Sequence, residues 1–216
     1  MSPQNRKLLS PRIDGRLAAY ATVAGAALAA PAIPSTDATI IWSGPVNINI
    51  PSTTAGIYLN IATGQYGGST VPGWNVNPWG STFLDMFNPS LPGGNVYVGS
   101  ATGYYNLAPG TLISGASTFT SGGNDPAFAL NLNSSNNIIG FKFQNSVTNT
   151  VEYAWMRISL AGTSGAQPRA IVEYAYEDSG AGIMAGAIPE PSTLALLGVM
   201  AAGALGVRAW RKGKNS

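Results

Sequence analysis

Short runs in which branched apolar residues alternate with other residues constrain the fold of this chain most strongly. In residues 46–50 and 57–61, Val, Ile or Leu recurs at every second position, which is the period of a strand with one buried face. Clusters of Gly, Pro, Asn and Ser bound such runs, and no eleven-residue window of residues 33–187 shows a convincing helical period. We therefore predict an all-β fold, an antiparallel β-sandwich or jelly roll, for residues 33–187.

The last two predicted strands carry the clearest pairing signal. Residues 151–160 and 170–176 both alternate, and a short connection containing Gly and Ser joins them. This arrangement favours an antiparallel hairpin. Arg157 would then pair with Glu173 or Glu177 across the ladder.

The other strand predictions rest on the same period and on turn clusters, one of which is residues 134–137. Within the last strand, strict alternation places Ile171 on the face opposite Tyr174. The predicted strands are residues 39–42, 46–50, 57–61, 95–98, 128–132, 138–143, 151–160 and 170–176.

The composition excludes several kinds of chemistry. The chain contains no Cys and no His, which excludes Ser-His-Asp triads, Cys-His pairs, disulfides and ordinary zinc sites. It also lacks a Gly-rich phosphate loop and a dinucleotide fingerprint, so we predict no cofactor. Residues 33–188 carry three basic side chains against seven acidic ones, a formal net charge of −4. Nucleic-acid binding needs clustered Lys or Arg, so we predict no nucleic-acid partner.

The N-terminal residues have the organisation of a secretory signal peptide. Four basic residues precede an Ala-rich apolar stretch at residues 17–30, and Ala30-Pro31-Ala32 supplies the small residues of a cleavage site. We predict that residues 1–32 are removed after export. The four basic residues are Arg6, Lys7, Arg12 and Arg16.

The C-terminal residues combine a rigid spacer, an apolar run and a basic end. Pro189 and Pro191 prevent a strand or helix from continuing through the spacer, and residues 194–207 carry no charge. As a helix this run would be about 21 Å long, short of the roughly 30 Å hydrocarbon core. The basic residues after it predict a cytoplasmic end. We predict a transmembrane helix that anchors the chain transiently.

This order of features resembles the PEP-CTERM sorting signal of Gram-negative exported proteins. Pro189, Glu190 and Pro191 match the motif residue for residue, and the resemblance extends to Lys214. It implies a sorting domain at residues 188–214, whose motif is read by a membrane-embedded transpeptidase, an exosortase. It also implies passage through the inner membrane to the cell surface or extracellular matrix.

The body of the chain resembles the same group without suggesting an activity. A hairpin like the one predicted for residues 151–176 is often found just before the sorting signal in such proteins. Residues 73–80 and 106–110 are similar to segments of the same uncharacterised group. The resemblance therefore carries information on the fold and none on catalysis.

Carboxylates are the remaining candidates for catalysis. A glycosidase needs two carboxyl groups flanking a cleft, about 5–10 Å apart. Glu173 and Glu177 lie about 13 Å apart on one strand face, which is too far. Glu152 or Asp178 could pair with another acid across strands, although nothing in the sequence selects such a pair.

Calcium is the one metal still open to this composition. Asp85, Asp125 and Asn124 offer oxygen ligands, and residues 121–126 are turn-like. The segment lacks an alternating ladder of Asp and Asn, so we favour a plain turn and predict no metal site.

Aromatic residues near turns suggest a binding site. Trp74 and Trp79 lie in a segment rich in Gly, Pro and Asn, and Tyr104 and Tyr105 follow a Gly. Such rings, with the many Asn amides of the chain, could stack on and hydrogen-bond a carbohydrate. The alternative is that the Trp rings close the ends of the core and the Asn residues serve turns, and we favour it.

The sequence thus predicts an exported, non-enzymatic surface or matrix protein, associated with exopolysaccharide or biofilm. A lectin-like carbohydrate-binding module is one alternative, and a carboxylate glycan hydrolase is a second.

Overall fold

The computed structural model describes residues 39–122 and 130–189, and this part of the chain consists of strands joined by turns and loops. The strands are β1 Ile40–Trp42, β2 Ile48–Asn49, β3 Tyr58–Leu59, β4 Tyr66–Gly67, β5 Asn77–Trp79, β6 Asp85–Phe87, β7 Tyr97–Ser100, β8 Gly103–Tyr104, β9 Leu112–Ile113, β10 Phe119–Thr120, β11 Ser134–Gln144, β12 Val151–Leu160, β13 Ala170–Glu177 and β14 Ile183–Met184.

One large antiparallel sheet organises these strands. Its order is β1-β13-β12-β11-β7-β10, with β2 added to β13 and β8 added to β7. The three longest strands, β11, β12 and β13, are neighbours in the sheet and consecutive in the chain. Two hairpins with long ladders therefore form its centre, and the shorter strands extend it on both sides.

Each face of this sheet is covered by two-stranded ribbons. On one face, Ala154, Met156 and Ile158 of β12 pack beneath the ribbons β3–β4 and β5–β6, and we call it the ribbon face. On the other face, Trp155 packs with residues of β9 and β14, and we call it the tail face. Full burial of one large apolar side chain contributes about 1.5–3 kcal/mol, so both layers stabilise the sheet.

The fold-class prediction is confirmed in its coarser form. The described residues are all-β and every strand pairing among them is antiparallel. The jelly roll is not confirmed, because short ribbons cover the large sheet where a jelly roll would have a second sheet. The predicted hairpin is formed by β12 and β13, and Arg157 pairs with Glu173 in its ladder.

Two details of the predicted strands are wrong. Residues 134–137, predicted as a turn, are the start of β11, where an irregularity in the register between Ser134 and Asn137 accommodates them. The predicted strand at 128–132 is not formed in its described part, residues 130–132. Local polarity misled the turn prediction, because an Asn or Ser can occupy the exposed end of a long strand. The strand prediction rested on apolar alternation over five residues, which is too short to decide the structure by itself.

A β-bulge in β13 corrects the predicted face of Ile171. The ladder pairs Glu173 with Arg157 and Ile171 with Ile158, so Val172 is an extra residue without a partner in β12. The bulge turns Ile171 to the ribbon face, where it packs in the same cluster as Tyr174. The expectation of opposite faces was therefore wrong.

Arg169, the residue just before β13, connects three separate loops. Its side chain is fully buried, and all five of its N–H donors reach backbone carbonyls in the loop after β2, the β5–β6 loop and the β12–β13 loop. Burial lowers the pKa of Arg169 from its ordinary value, and the carboxylate of Asp85 acts in the opposite direction. The acceptors are Ile50 (3.1 Å), Pro51 (2.7 Å), Phe83 (3.2 Å), Ser164 (2.9 Å) and Gly80.

The predicted signal peptide at 1–32 and the predicted membrane helix at 194–207 both lie outside the described residues. Among residues 39–122 and 130–189, no helix is long and apolar enough to cross a membrane.

Candidate functional site

The structure divides the four aromatic candidates between different environments. Tyr104 is fully buried in the ribbon-face core, and its hydroxyl donates a hydrogen bond to the Leu84 carbonyl at 2.9 Å. Its ring therefore offers no face to a ligand, which corrects its assignment as a glycan contact. Tyr105 packs half-buried against the tail-face cluster, away from Trp74 and Trp79.

Trp74 and Trp79 instead belong to a partly exposed aromatic cluster. The Trp74 ring stacks on Phe87 with centroids 5.6 Å apart and an interplanar angle of 20°. Tyr58 meets Trp74 edge to face at 4.9 Å. Trp79 lines the same cleft as Tyr58 and Phe87. We call Tyr58, Trp74, Trp79 and Phe87 the aromatic ridge.

Gly73 allows the Trp74 loop to approach the β11–β12 turn closely. It has a φ of +66°, and a Cβ at this position would lie 2.6 Å from Cβ of Ser146. Any other residue would face both backbone strain and a steric clash there. The chain therefore uses a glycine at the position that sets Trp74 beside the turn.

Two buried asparagines fix the same loop. Asn60 donates to the Pro72 carbonyl at 2.9 Å and to Oγ of Ser146 at 3.0 Å. Asn75 donates to the Gln144 carbonyl at 3.0 Å and accepts from the backbone N–H of Ile61 at 2.8 Å. Asn60 thus satisfies a carbonyl just before Trp74, and Asn75, the residue after it, is tied to two other segments, so the two amides hold the loop in one position.

Phe87 is held from the opposite side by Tyr97. The buried Tyr97 hydroxyl donates to the Phe87 carbonyl at 2.8 Å. Burial raises the pKa of Tyr97, so the phenol remains a neutral donor at physiological pH. The Phe87 backbone is thus fixed while its side chain stays 51% exposed.

Two open clefts adjoin the ridge. The first has a volume of about 300 Å³ and lies between Trp74, the β11–β12 turn and Ser90. The second has a volume of about 200 Å³ and lies between Tyr58, Trp79 and Phe87. Trp74 lines the first cleft and its stacking partner Phe87 lines the second, so one pair of rings connects them.

No charged side chain lines either cleft. The basic residues of the described part of the chain are engaged elsewhere. Lys142 lies over the Phe119 ring at 4.7 Å, and Arg157 forms an ion pair with Glu173 at 2.7 Å. Arg169 is buried among its carbonyl acceptors. The clefts therefore present rings, amides and hydroxyls.

Glu152 is a buried carboxylate with a complete set of donors. It accepts two hydrogen bonds from the Asn145 amide nitrogen, at 2.9 and 3.0 Å. It also accepts one from the Thr148 hydroxyl at 3.2 Å and one from the Thr150 hydroxyl at 2.9 Å. All four residues belong to the β11–β12 turn and its borders. The arrangement holds the turn together and leaves the carboxylate closed to a substrate.

The other predicted carboxylates are also separated from the clefts. Glu173 accepts from Arg157 and from Nε1 of Trp42 at 3.0 Å. Glu177 is buried, with one oxygen accepting from the Ser179 N–H and the other without a hydrogen-bond partner. Asp178 is exposed and accepts from the Thr39 N–H. None of these acids lines either cleft.

Only one of the three predicted calcium ligands, Asp85, lies among the described residues. Asp85 is buried near Arg169, whereas Asn124 and Asp125 fall in the undescribed segment 123–129. The described ranges contain no group of three or more acidic residues that could hold a metal ion.

Sequence reasoning missed two members of the ridge, Tyr58 and Phe87. Tyr58 lies in a predicted strand, and its outward position there was readable from the alternation of Ile57, Leu59 and Ile61. Phe87 offered a weaker signal, because its strand β6 has only three residues.

The last described residues lead from the tail face into the predicted sorting motif. The backbone N–H of Ala185 donates a hydrogen bond to the Thr111 carbonyl at 2.8 Å. The Ala187 carbonyl accepts one from Nε1 of the buried Trp155 at 3.1 Å. Ile188 and Pro189 follow as exposed residues. Glu190 and Pro191 lie outside the described residues. The last described hydrogen bond to the body therefore lies two residues before the Pro-Glu-Pro sequence.

The comparisons with known proteins concern this end of the chain. Residues 187–213 match the family model of the PEP-CTERM protein-sorting motif, which confirms the resemblance found in the sequence. No curated protein and no solved structure matches the chain. The chain therefore carries a PEP-CTERM protein-sorting motif at residues 187–213, the mark of an exported protein that an exosortase processes.

Proposed function

We propose that the β-rich body is a non-catalytic protein of the cell surface or the exopolysaccharide matrix, delivered there by its C-terminal motif. The observation that carries this proposal is the position of the motif. It begins at Ala187, the residue that carries the last hydrogen bond among the described residues. In this proposal residues 194–207 anchor the precursor in the inner membrane until the exosortase acts.

The non-catalytic part of the proposal is supported by the state of the acidic residues. Glu152 is enclosed by Asn145, Thr148 and Thr150, and Glu173 is paired with Arg157. A glycosidase of the usual kind needs a pair of carboxyl groups open to one cleft, and the described acids supply no such pair at either cleft. Release of reducing ends from a glycan panel, abolished by Glu173→Gln, would contradict this part of the proposal.

The sorting function is tested by Glu190→Ala in a host that contains an exosortase. We expect this variant to remain in the membrane fraction at precursor mass, because the motif would no longer be recognised. The wild type should reach the outer surface or medium at a lower mass. Cell fractionation with intact-mass analysis measures both properties.

Ser192→Ala is the matched control for this experiment. It changes a polar residue just after the motif and leaves Pro189, Glu190 and Pro191 intact. We expect it to be processed as the wild type is. Normal release of the Glu190→Ala variant would refute recognition of the motif.

A further inference from the structure

We propose that the aromatic ridge and its two clefts form a binding site for an uncharged polysaccharide. The inference rests on the proposed function only for where such a ligand is met, at the cell surface or in the matrix. Binding itself depends on the residues that form the aromatic ridge and line its two clefts, and it does not require sorting.

The ridge supplies the apolar part of the site. The face of an aromatic ring is electron-rich, and the C–H groups on one side of a pyranose ring are weakly positive, so the two surfaces attract. Phe87 is 51% exposed, and Trp74 and Trp79 are partly exposed. Exposing such rings to water is unfavourable, so their grouping in one place needs an explanation that single exposed residues do not.

The clefts supply the polar part of the site. Ser90, Ser146 and Asn149 are exposed and line the first cleft, and the exposed Thr54 lines the second. Hydroxyl and amide groups donate and accept hydrogen bonds, as sugar hydroxyls do. A ligand pocket commonly combines an apolar wall with a few such groups.

The absence of charge in both clefts selects the class of polysaccharide. An acidic polysaccharide would need Lys or Arg near its carboxylates or sulfates. The described basic side chains are held at Phe119, at Glu173 and in the carbonyl cluster around Arg169. A neutral, hydroxyl-rich chain matches what the clefts offer.

The site is fixed before any ligand arrives. Asn60, Asn75 and the close approach at Gly73 hold the Trp74 loop, and Tyr97 holds the Phe87 backbone. A fixed site loses little conformational entropy on binding. The Trp74–Phe87 stack connects the two clefts, which suits a ligand of several linked sugars better than a monosaccharide.

Affinity gel electrophoresis of the full chain in detergent tests the proposal. The gels contain hydroxyethyl cellulose, mixed-linkage β-glucan, dextran or galactomannan as neutral probes, and alginate as the acidic one. We expect at least one neutral polysaccharide to retard the wild type and alginate to leave it unretarded. Phe87→Ala and Trp74→Ala should each weaken the apparent affinity about tenfold or more.

Phe83→Ala is the matched control, because Phe83 is 53% exposed, close to the value for Phe87, and lies outside both clefts. It should be retarded as the wild type is. About half of the Phe87 side chain is exposed, so we expect its Ala variant to remain folded. Trp74→Ala also removes the edge-to-face contact with Tyr58, and unfolding curves measure the stability of both variants.

Three outcomes would overturn the proposal. They are a folded wild type that no neutral probe retards, retardation by alginate alone, and equal losses in Phe83→Ala and Phe87→Ala. Glu190→Ala should bind the neutral probe normally, because its change affects sorting. A failure of sorting and a failure of binding are therefore separate results.

Discussion

Replacing Arg169 with Met is expected to lower the free energy of unfolding by about 4 kcal/mol, the scale for removing the charged centre of a buried network. The change leaves four carbonyls in three loops without their side-chain donor, while the fifth, that of Ile50, keeps a hydrogen bond from Gln167. Each unsatisfied buried acceptor is costly, and the Met side chain replaces only the volume. Urea unfolding followed by Trp fluorescence measures the loss.

Arg157→Met is the matched control for this measurement. Arg157 is only partly buried and forms its ion pair with Glu173 near the surface. Such a pair contributes up to about 1 kcal/mol, so this variant should remain close to the wild type. Equal losses in the two variants would show that the carbonyl cluster has no special role. Arg169→Lys should fall between them, because Lys has three donors where Arg has five.

Replacing Trp155 with Ala is expected to cost about 4 kcal/mol, the range for removing a large aromatic side chain from a core. Trp155 is fully buried at the centre of the tail-face cluster, where it packs with Ile138, Ala175 and Ile183. The variant loses this packing and the hydrogen bond to the Ala187 carbonyl. Chemical unfolding gives the size of the loss.

Two further variants separate packing from hydrogen bonding. Trp155→Phe keeps most of the ring and removes the donor, so we expect a cost of about 1–2 kcal/mol. Trp42→Ala removes a Trp that is 37% exposed on the edge strand β1, and it should cost less than Trp155→Ala. A loss for Trp42→Ala as large as for Trp155→Ala would contradict the burial argument.

The centre of the fold could be predicted from the sequence because it depends on local period. Residues 151–160 alternate without interruption and form β12 with the predicted bounds. The charge pattern left two partners open for Arg157, Glu173 and Glu177, and the ladder pairs it with Glu173. Long strands with one buried face carry this information in every second residue.

The ribbons and the bulge could not be predicted in the same way. Strands β5, β6, β9 and β14 have two or three residues each, too few to display a period. Their pairing depends on contacts with a sheet formed by distant parts of the chain. The extra residue Val172 is likewise invisible in composition, because Val suits any strand position.

The candidate site was predicted in part, for a related reason. Trp74 follows a turn and Trp79 ends strand β5, and both are partly exposed, whereas Tyr104 was assigned to the surface and lies in the core. A Tyr is suited to either position, because its ring is apolar and its hydroxyl needs only one partner. The sorting motif was identified fully, since its information is contained in consecutive residues.

The position of the last described hydrogen bond predicts how processing affects the stability of the body. Trp155 holds Ala187, and no described bond of the body involves Ile188 or Pro189. Severing the chain beyond Pro189 breaks none of the described contacts of the sheet. The mature product should consequently unfold at the same denaturant concentration as its uncut form, with the ribbon β9–β14 still paired on the tail face.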